Sequence, residues 1–453
     1  MFKKIEIWIL YLFILLTIPV TISFGLLIRN ELLEAPRFRG ISKKALFLVE
    51  IPVKVKNIFF NKVMSVPTRF PLLNGFDGKP NSKESYLLLS RYSGNLKEGI
   101  VELIDLTNFQ VLHTWNPDID KFNKSINNKE EFRYVKRDAN NSRYVLNHPK
   151  LIEDGGLVFN DNSPLRKIDS CSNLIFQKYY DKFHHSIETD IEGNIWASSY
   201  IYPQTLPIEK VGNKLRDDHG YVEDGIVKLS QNGEILFEKS LSEIFIENGL
   251  EYLLFATNHI NKFTIDPTHL NDIQPVDFDG EFWKKGDLFL SLRHQSMVIL
   301  YRPSTNKIIW KGTGPFFHQH DVDILNDHTI SVFNNNSKDF VSGDVVDGNN
   351  QVIIYDFKTD KYSLYLNASL IKNDVRTITE GRGQILSNGD LFVEETNFGR
   401  ILYINSDGSL RWTYVNRADD KKTYSVGWAR IIYNNKDINI VKKFLSSRVK
   451  CND

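Results

Sequence analysis

The sequence predicts an all-β fold, a six-bladed β-propeller, preceded by one N-terminal transmembrane helix. Three observations carry that prediction: an uncharged apolar run near the N-terminus, a hairpin pattern recurring at matching internal spacing, and an aromatic content of 12% against only 3 methionines. Tyr, Phe and Trp in that proportion suit the stiff packing of twisted sheets. The 453 residues leave room for one large fold or up to about three ordinary domains. Lys plus Arg number 56 and Asp plus Glu 56, so no basic excess exists to neutralise a phosphate backbone, which argues against a nucleic-acid partner. Hydrophobic residues at 42% and charged residues at 25% describe a folded body, neither a disordered chain nor a multi-span membrane protein. Two cysteines make neither a disulfide framework nor a four-thiolate zinc site.

From Ile7 to Ile28 runs IWILYLFILLTIPVTISFGLLI, free of charge and long enough to cross a hydrocarbon core of about 30 Å as a helix. Pro19 and Gly25 are tolerated in such a span, and no small-x-small cleavage site follows it. Residues 1–30 therefore read as an uncleaved membrane anchor, with a cleaved signal as the alternative. Lys3 and Lys4 before the run, against Arg29, Arg37, Arg39, Lys43 and Lys44 after it, leave the orientation open. Residues 31–80 read as a linker or N-terminal extension, 81–440 as the propeller and 441–453 as a C-terminal tail.

The propeller is read from repetition. HPKLIEDGGLVF from His148, HSIETDIEGNIW from His185, HDVDILNDHTISVF from His320 and GRGQILSNGDLFVE from Gly381 align so that Gly156, Gly193, His328 and Gly389 each fall eight positions after the first residue. Every copy is a short strand, a turn rich in Asn, Asp or Gly, and a second apolar strand, which is the signature of a hairpin. A stretched copy begins at His269 and reaches its second strand at Gly286. Two further strands follow each copy, in GIVKLSQNGEILFE (225–238), SMVILYRPSTNKIIW (296–310), QVIIYDFKTDKYSLY (351–365) and GRILYINSDGSLRW (399–412). PLRKIDSCSNLIF (164–176) completes the unit at His148, and GIVELIDLTNFQVLHTW (99–115), preceded by SYLLLSRY, gives a sixth. Units of four antiparallel strands that cannot bury both faces alone assemble into a propeller, here closed by the late strand in WARIIY from Trp428. A double β-sandwich would not need the same hairpin at the same internal spacing.

In a propeller the innermost strand of every blade faces the axis, so equivalent positions form a ring. The first position of the repeat carries His148, His185, His269 and His320, four of the 11 histidines, although histidine is not favoured in strands. Arg293 ends the second strand of the unit that starts at His269, near the same mouth. Several imidazoles and a guanidinium, with no carboxylate at equivalent positions, suit a compact anion bearing several oxygens. Three histidines would also suit zinc or copper, but an arginine among them opposes a dication, so no metal is expected. There is no G-x-S-x-G elbow and no phosphate-binding G-x-x-x-x-G-K-[ST] loop.

THLNDI (268–273), LSLRHQSMVILYRPSTNKIIWKGTG (290–314) and HQHDVDIL followed by SVFNNN (318–336) together resemble the arylsulfotransferase family of six-bladed propellers. HHSIETDIEGNIW (184–196) resembles its earlier histidine hairpin and residues 384–414 its last blade. The resemblance implies an aryl-sulfate sulfotransferase that needs no nucleotide sulfate donor and no cofactor, passing a sulfuryl group through a sulfohistidine. It implies His320, in Gln319-His320-Asp321, as the nucleophile, His269, Asn271 and Arg293 as holders of the sulfuryl oxygens, and His185 as a further histidine of the site. A second histidine would protonate the departing phenolate and deprotonate the acceptor, and His185 and His269 both stand open for that role. His318, two residues from His320, shares its strand face, so spacing alone does not separate them.

The expected partners are thus an aryl sulfate donor, a phenolic acceptor and a membrane reached through the N-terminal helix, with the catalytic domain periplasmic or otherwise extracytoplasmic. The alternative is a non-catalytic propeller binding a ligand or partner in the same mouth. Donor and acceptor identity is expected to lie in the loops 201–222 and 240–267. Oligomeric state, and whether Cys171 and Cys451 pair, stay open.

Overall fold

The computed structural model describes residues 6–32, 38–59, 64–127, 140–160, 164–178, 183–212, 220–256, 263–341, 343–447 and 451. Lys3, Lys4 and Arg37, and the loop residues 213–219 and 257–262, lie outside them. The chain forms two compact units, Met1–Val63 and Met64–Asp453.

In the first unit Ile7–Leu32 is one α-helix, exposed from Ile7 to Val20 and long and apolar enough to cross a membrane. The hydroxyls of Thr17 and Thr21 donate to the main-chain oxygens of Phe13 and Thr17 at 2.7 and 2.9 Å, so these side chains are satisfied within the helix, as a lipid environment requires. Arg39–Phe59, inside the segment read as a linker, forms a second helix. Its Ser42 and Ala45 are buried while Ile41, Phe47, Leu48 and Val49 remain exposed.

The second unit is the expected six-bladed propeller, each blade an antiparallel sheet with chain neighbours paired side by side. The innermost strands of blades one to six are Arg430–Ile432, Asn147–Leu151, Phe183–Thr189, Leu270–Pro275, Val322–Ile324 and Arg382–Ile385. In the fifth blade a hairpin, Ser337–Phe340 with Gly343–Val346, is inserted between the second and third strands.

A ring of sheets is stable only when no edge is left open. Arg430 pairs with Leu88 and Ile432 with Tyr86, so the late strand becomes the innermost strand of the first blade, as the run from Trp428 predicted. Gly75–Gly78, from the segment read as an extension, adds an outermost fifth strand to the last blade, with Gly78 opposite Trp412. At Gly78 φ is +121°, and a Cβ would stand 2.4 Å from the Arg411 main-chain oxygen, so only glycine fits. Between blades the sheet faces interlock. Phe392, Tyr403 and Trp412 of the last blade pack on Leu87, Leu89 and Ile104 of the first. Burying one such side chain contributes about 1.5–3 kcal/mol, an amount a single blade with both faces wet does not have.

The tail is part of this packing. Helix Asn435–Ser446, capped by the Asn434 side chain, buries Val441 and Phe444, and the Phe444 ring lies 5.7 Å from that of Trp115 in the first blade. Beyond it, Cys451 is disulfide-bonded to Cys171 in the outer turn of the second blade, 280 residues earlier. A cross-link over so long a loop restricts the unfolded chain strongly, so Cys171→Ser should lower stability by about 2–4 kcal/mol. Urea unfolding checks it: the variant's midpoint should fall, and a reductant should move the parent but not the variant.

One backbone feature recurs at the head of every inner strand. His148, His185, His269, His318, Glu380 and Trp428 hold φ of 51°, 49°, 51°, 51°, 55° and 65°. A left-handed residue with a side chain costs about 1–2 kcal/mol, so six at equivalent places mark a constraint of the architecture. In the second and third blades the residue lies within a β-bulge, which bends the strand and re-aims the side chain.

Candidate active site

These kinks bring the distant histidines together. Around His185 lie the rings of His184 at 5.1 Å, His269 at 5.2 Å, His148 at 6.0 Å and His320 at 6.3 Å between centroids. His185 Nε2 and His269 Nε2 are 3.3 Å apart, so one of the two carries the hydrogen between them. His148 packs its ring 4.4 Å from Trp428. The ring departs from the expected alignment in two blades: in the sixth Glu380, the residue before Gly381, takes the left-handed position, and in the fifth His318 takes it and His320 sits two residues further along. The eight-residue spacing to the turn was preserved by a two-residue longer lead, which sequence alignment alone did not expose.

His320 is 1% exposed, and its protonation is fixed by its partners. Nδ1 lies 2.7 Å from Asn335 Oδ1 and 3.2 Å from the His318 main-chain oxygen, both acceptors, so Nδ1 carries the hydrogen. The Asn335 amide is held in turn, its Nδ2 donating to the main-chain oxygens of Thr377 and Glu380 at 3.2 and 2.8 Å. Nε2 of His320 therefore keeps its lone pair, and the Glu380 main-chain N–H donates to it at 3.1 Å. Burial, reinforced by the charge of Arg293, pushes this imidazole down to about 3.

Arg293 follows directly on the second strand of the fourth blade, Leu288–Leu292. Its Nη1 donates to His294 Nε2 at 2.8 Å, while its Nε is buried with no hydrogen-bond partner among the described residues. Asn271 is fully buried, and its Nδ2 donates to the Gln319 main-chain oxygen at 3.1 Å, bracing the segment that carries His320. Its Oδ1 has no partner among the described residues, so one amide hydrogen and one acceptor remain for a ligand.

The expectation of no carboxylate at the equivalent positions is corrected in the sixth blade, where Glu380 holds that place, and a further carboxylate comes from outside the repeat. Asp266 Oδ2 stands 2.7 Å from His269 Nδ1. Further along, the third to fifth blades supply Glu188, Asp272, Asp321 and Asp323, and the sixth, first and second supply Arg382, Arg430 and Lys150. Arg382 Nε is 3.3 Å from Asp321 Oδ2 and Lys150 Nζ 2.8 Å from Glu188 Oε2, while Arg430 pairs with Glu188. Burial opposes the charge of Glu188, but Arg430 and Lys150 hold it down to about 2. Burial and the neighbouring Asp321 push Asp272 up to about 7. Lys150, Glu188, Asp323, Arg382 and Arg430 line a cavity of about 400 Å³. The signal was present in the sequence: a charged residue at a strand position that alternation assigns to the inside.

Among the described residues Asp266, His269 and His294 bring three potential ligand atoms within 4.8 Å of one another. Their hydrogens do not suit a cation. Arg293 only donates, so His294 accepts at Nε2 and its Nδ1 hydrogen points to the Asp266 main-chain oxygen at 2.7 Å. The Nδ1 lone pair a metal would need is thus not on offer, and a guanidinium sits against the same ring.

The family model described as Arylsulfotransferase (ASST) matches residues 148–417, from the second blade to the sixth. No curated protein matches the chain. Among solved structures, a protein of unknown function from Bacteroides caccae is similar at a TM-score of 0.47 and 11% identity, covering 78% of this chain and 100% of its own. A streptogramin B lyase is similar at 0.37 and 12%, covering 79% and 97%. A catalytically inactive virginiamycin B lyase from Staphylococcus aureus, solved with quinupristin, is similar at 0.37 and 10%, covering 79% and 99%. Scores this low carry no argument about activity. The family match is of another kind, because it extends over more than half of the chain and takes in His185, His269, Arg293 and His320 in order, and on it the chain belongs to the arylsulfotransferase (ASST) family.

Proposed function

We propose that this protein moves a sulfuryl group from an aryl sulfate to a phenolic acceptor through a sulfohistidine at His320, with no nucleotide sulfate donor. The observation that carries the reading is the state of His320: a neutral imidazole whose Nδ1–H is locked to Asn335 and whose Nε2 keeps its lone pair, accepting from the Glu380 main-chain N–H. Sulfuryl transfer, like phosphoryl transfer, develops charge on the peripheral oxygens, and in this reading the Arg293 guanidinium and the imidazole N–H groups bind it. When Nε2 attacks sulfur, the Glu380 main-chain N–H loses its acceptor and is free to donate to a sulfuryl oxygen. His185, His269 and Asn271 complete the binding set in this reading. The reading puts the propeller outside the cytoplasm, because the Cys171–Cys451 disulfide persists in an oxidising compartment and Ile7–Leu32 serves as the anchor.

Mixing the enzyme with a chromogenic aryl sulfate in the absence of acceptor, then denaturing it in alkali, should leave one SO₃ group on the peptide that contains His320. Adding a phenol before denaturation should discharge it and yield the aryl sulfate of that phenol. An adduct on another residue, or phenol release that never depends on the acceptor, would refute the assignment.

A further inference from the structure

Asp266 touches the imidazole cluster without a part in nucleophilic attack or sulfuryl binding. It lies in the loop that leads into the inner strand of the fourth blade, and its Oδ2 is 2.7 Å from His269 Nδ1. A carboxylate only accepts, so His269 carries hydrogen on Nδ1, and its Nε2, which faces His185 Nε2, is the atom that exchanges protons. The main-chain oxygen of the same residue accepts from His294 Nδ1 at 2.7 Å, and His294 Nε2 accepts from Arg293 Nη1 at 2.8 Å. One residue thereby sets the tautomer of His269 and, through His294, the direction of the guanidinium. The loop itself is pinned, since Gln295 Nε2 donates to the Pro267 main-chain oxygen at 2.7 Å and Thr268 Oγ1 to Asp224 Oδ2 at 2.5 Å.

The two histidines open for acid and base work differ in this respect. His185 has no carboxylate partner among the described residues, and burial with the imidazoles of His184, His269, His148 and His320 around it pushes it well below the usual value. His269 has its carboxylate, and its side chain is 20% exposed, open to a ligand. The groups that face it are Asp266 and His294 beside its own blade, His185 from the third blade and His320 from the fifth.

We propose that Asp266 is the positioning residue of the transfer, holding His269 as general acid and base and, through His294, holding Arg293 against the sulfuryl group. The inference rests on the sulfotransfer reading above. In the first half-reaction the S–O bond of the donor breaks as His320 Nε2 forms an S–N bond, and His269, entering as the imidazolium paired with the Asp266 carboxylate, passes its Nε2 proton to the leaving phenolate oxygen and is left neutral with hydrogen on Nδ1. In the second the acceptor hydroxyl oxygen attacks sulfur and gives its proton to His269 Nε2, while the S–N electron pair returns to His320. The cycle neither consumes nor releases a proton.

The test compares two donors on the full chain. Phenyl sulfate leaves as a basic phenolate that needs its proton, whereas 4-nitrophenyl sulfate leaves as a much weaker base. Asp266→Asn should lower kcat/KM for phenyl sulfate by about 10²-fold or more and for 4-nitrophenyl sulfate by less than about 10-fold. His294→Ala, which keeps the Asp266–His269 pair, should raise KM for both donors alike. Equal losses on the two donors in Asp266→Asn would overturn the proposal, because a merely structural role does not sense the leaving group. Should that variant fail to fold, Asp266→Glu, which keeps the charge, decides by the same comparison. A parent enzyme that turns over neither donor defeats the sulfotransfer reading itself, a result distinct from either.

Discussion

His320→Ala should turn over aryl sulfates at least about 10³-fold more slowly than the parent, with the loss in kcat. No neighbour can replace the ring. His318 holds the left-handed position at the head of the strand with Nδ1 3.7 Å from Asp339 Oδ1, and His269 and His185 face each other. The truncation leaves Asn335 Oδ1 and the Glu380 N–H without this partner, a cost of about 1–3 kcal/mol. That cost is small enough for the variant to stay folded under assay conditions, which a urea midpoint confirms. His318→Ala is the control and should keep most of the activity. Parental turnover in His320→Ala would remove the covalent mechanism.

The first half-reaction should persist in acid. An imidazole of ordinary pKa, about 6.5, is only about 1% neutral at pH 4.5, whereas one pushed down to about 3 is still almost wholly neutral there. The sign follows directly: the nucleophile is competent above its pKa and lost as pH falls through it, so a depressed pKa moves the acid limb down. The burst of phenol released in a stopped-flow mixing without acceptor should therefore change by no more than a few-fold between pH 7 and 4.5. A hundred-fold fall, centred near 6.5, would show an unperturbed histidine instead. The fold is not expected to collapse over that range, because its linkages oppose. The depressed histidines 148, 185 and 320 contribute stability that is present above about 6.5 and lost as pH falls. Asp272, raised to about 7, and Asp323, raised well above its ordinary value, contribute stability that is present in acid and lost as pH rises.

The blades were legible in the sequence because a propeller repeats one physical problem, and each solution leaves the same spacing of apolar strands and turn glycines. His148, His185 and His269 were legible for the same reason, as one residue type standing at one repeated position, whereas His320 lies two residues past the corresponding place, which His318 takes. Asp266, His294 and Asn335 were not, because each belongs to a connection found in a single blade, where there is nothing to align against. The disulfide joins residues 280 apart and follows from where helix Asn435–Ser446 packs, a tertiary fact. Helix Arg39–Phe59 was passed over because its lysines and Pro52 broke the apolar run that identified the first helix. Charged residues on the inner strands, Lys150, Glu188, Asp272 and Arg382, broke the alternation in plain view, yet they became informative only once partners from other blades were known.

The recurrent positive φ at the strand heads means that the hub is a set of six interchangeable sockets. The same left-handed conformation accepts imidazole in four of them, a carboxylate in Glu380 and an indole in Trp428. New chemistry can therefore be written at this axis one letter at a time, by point substitution in a socket, while the wheel that holds it turns out unaltered.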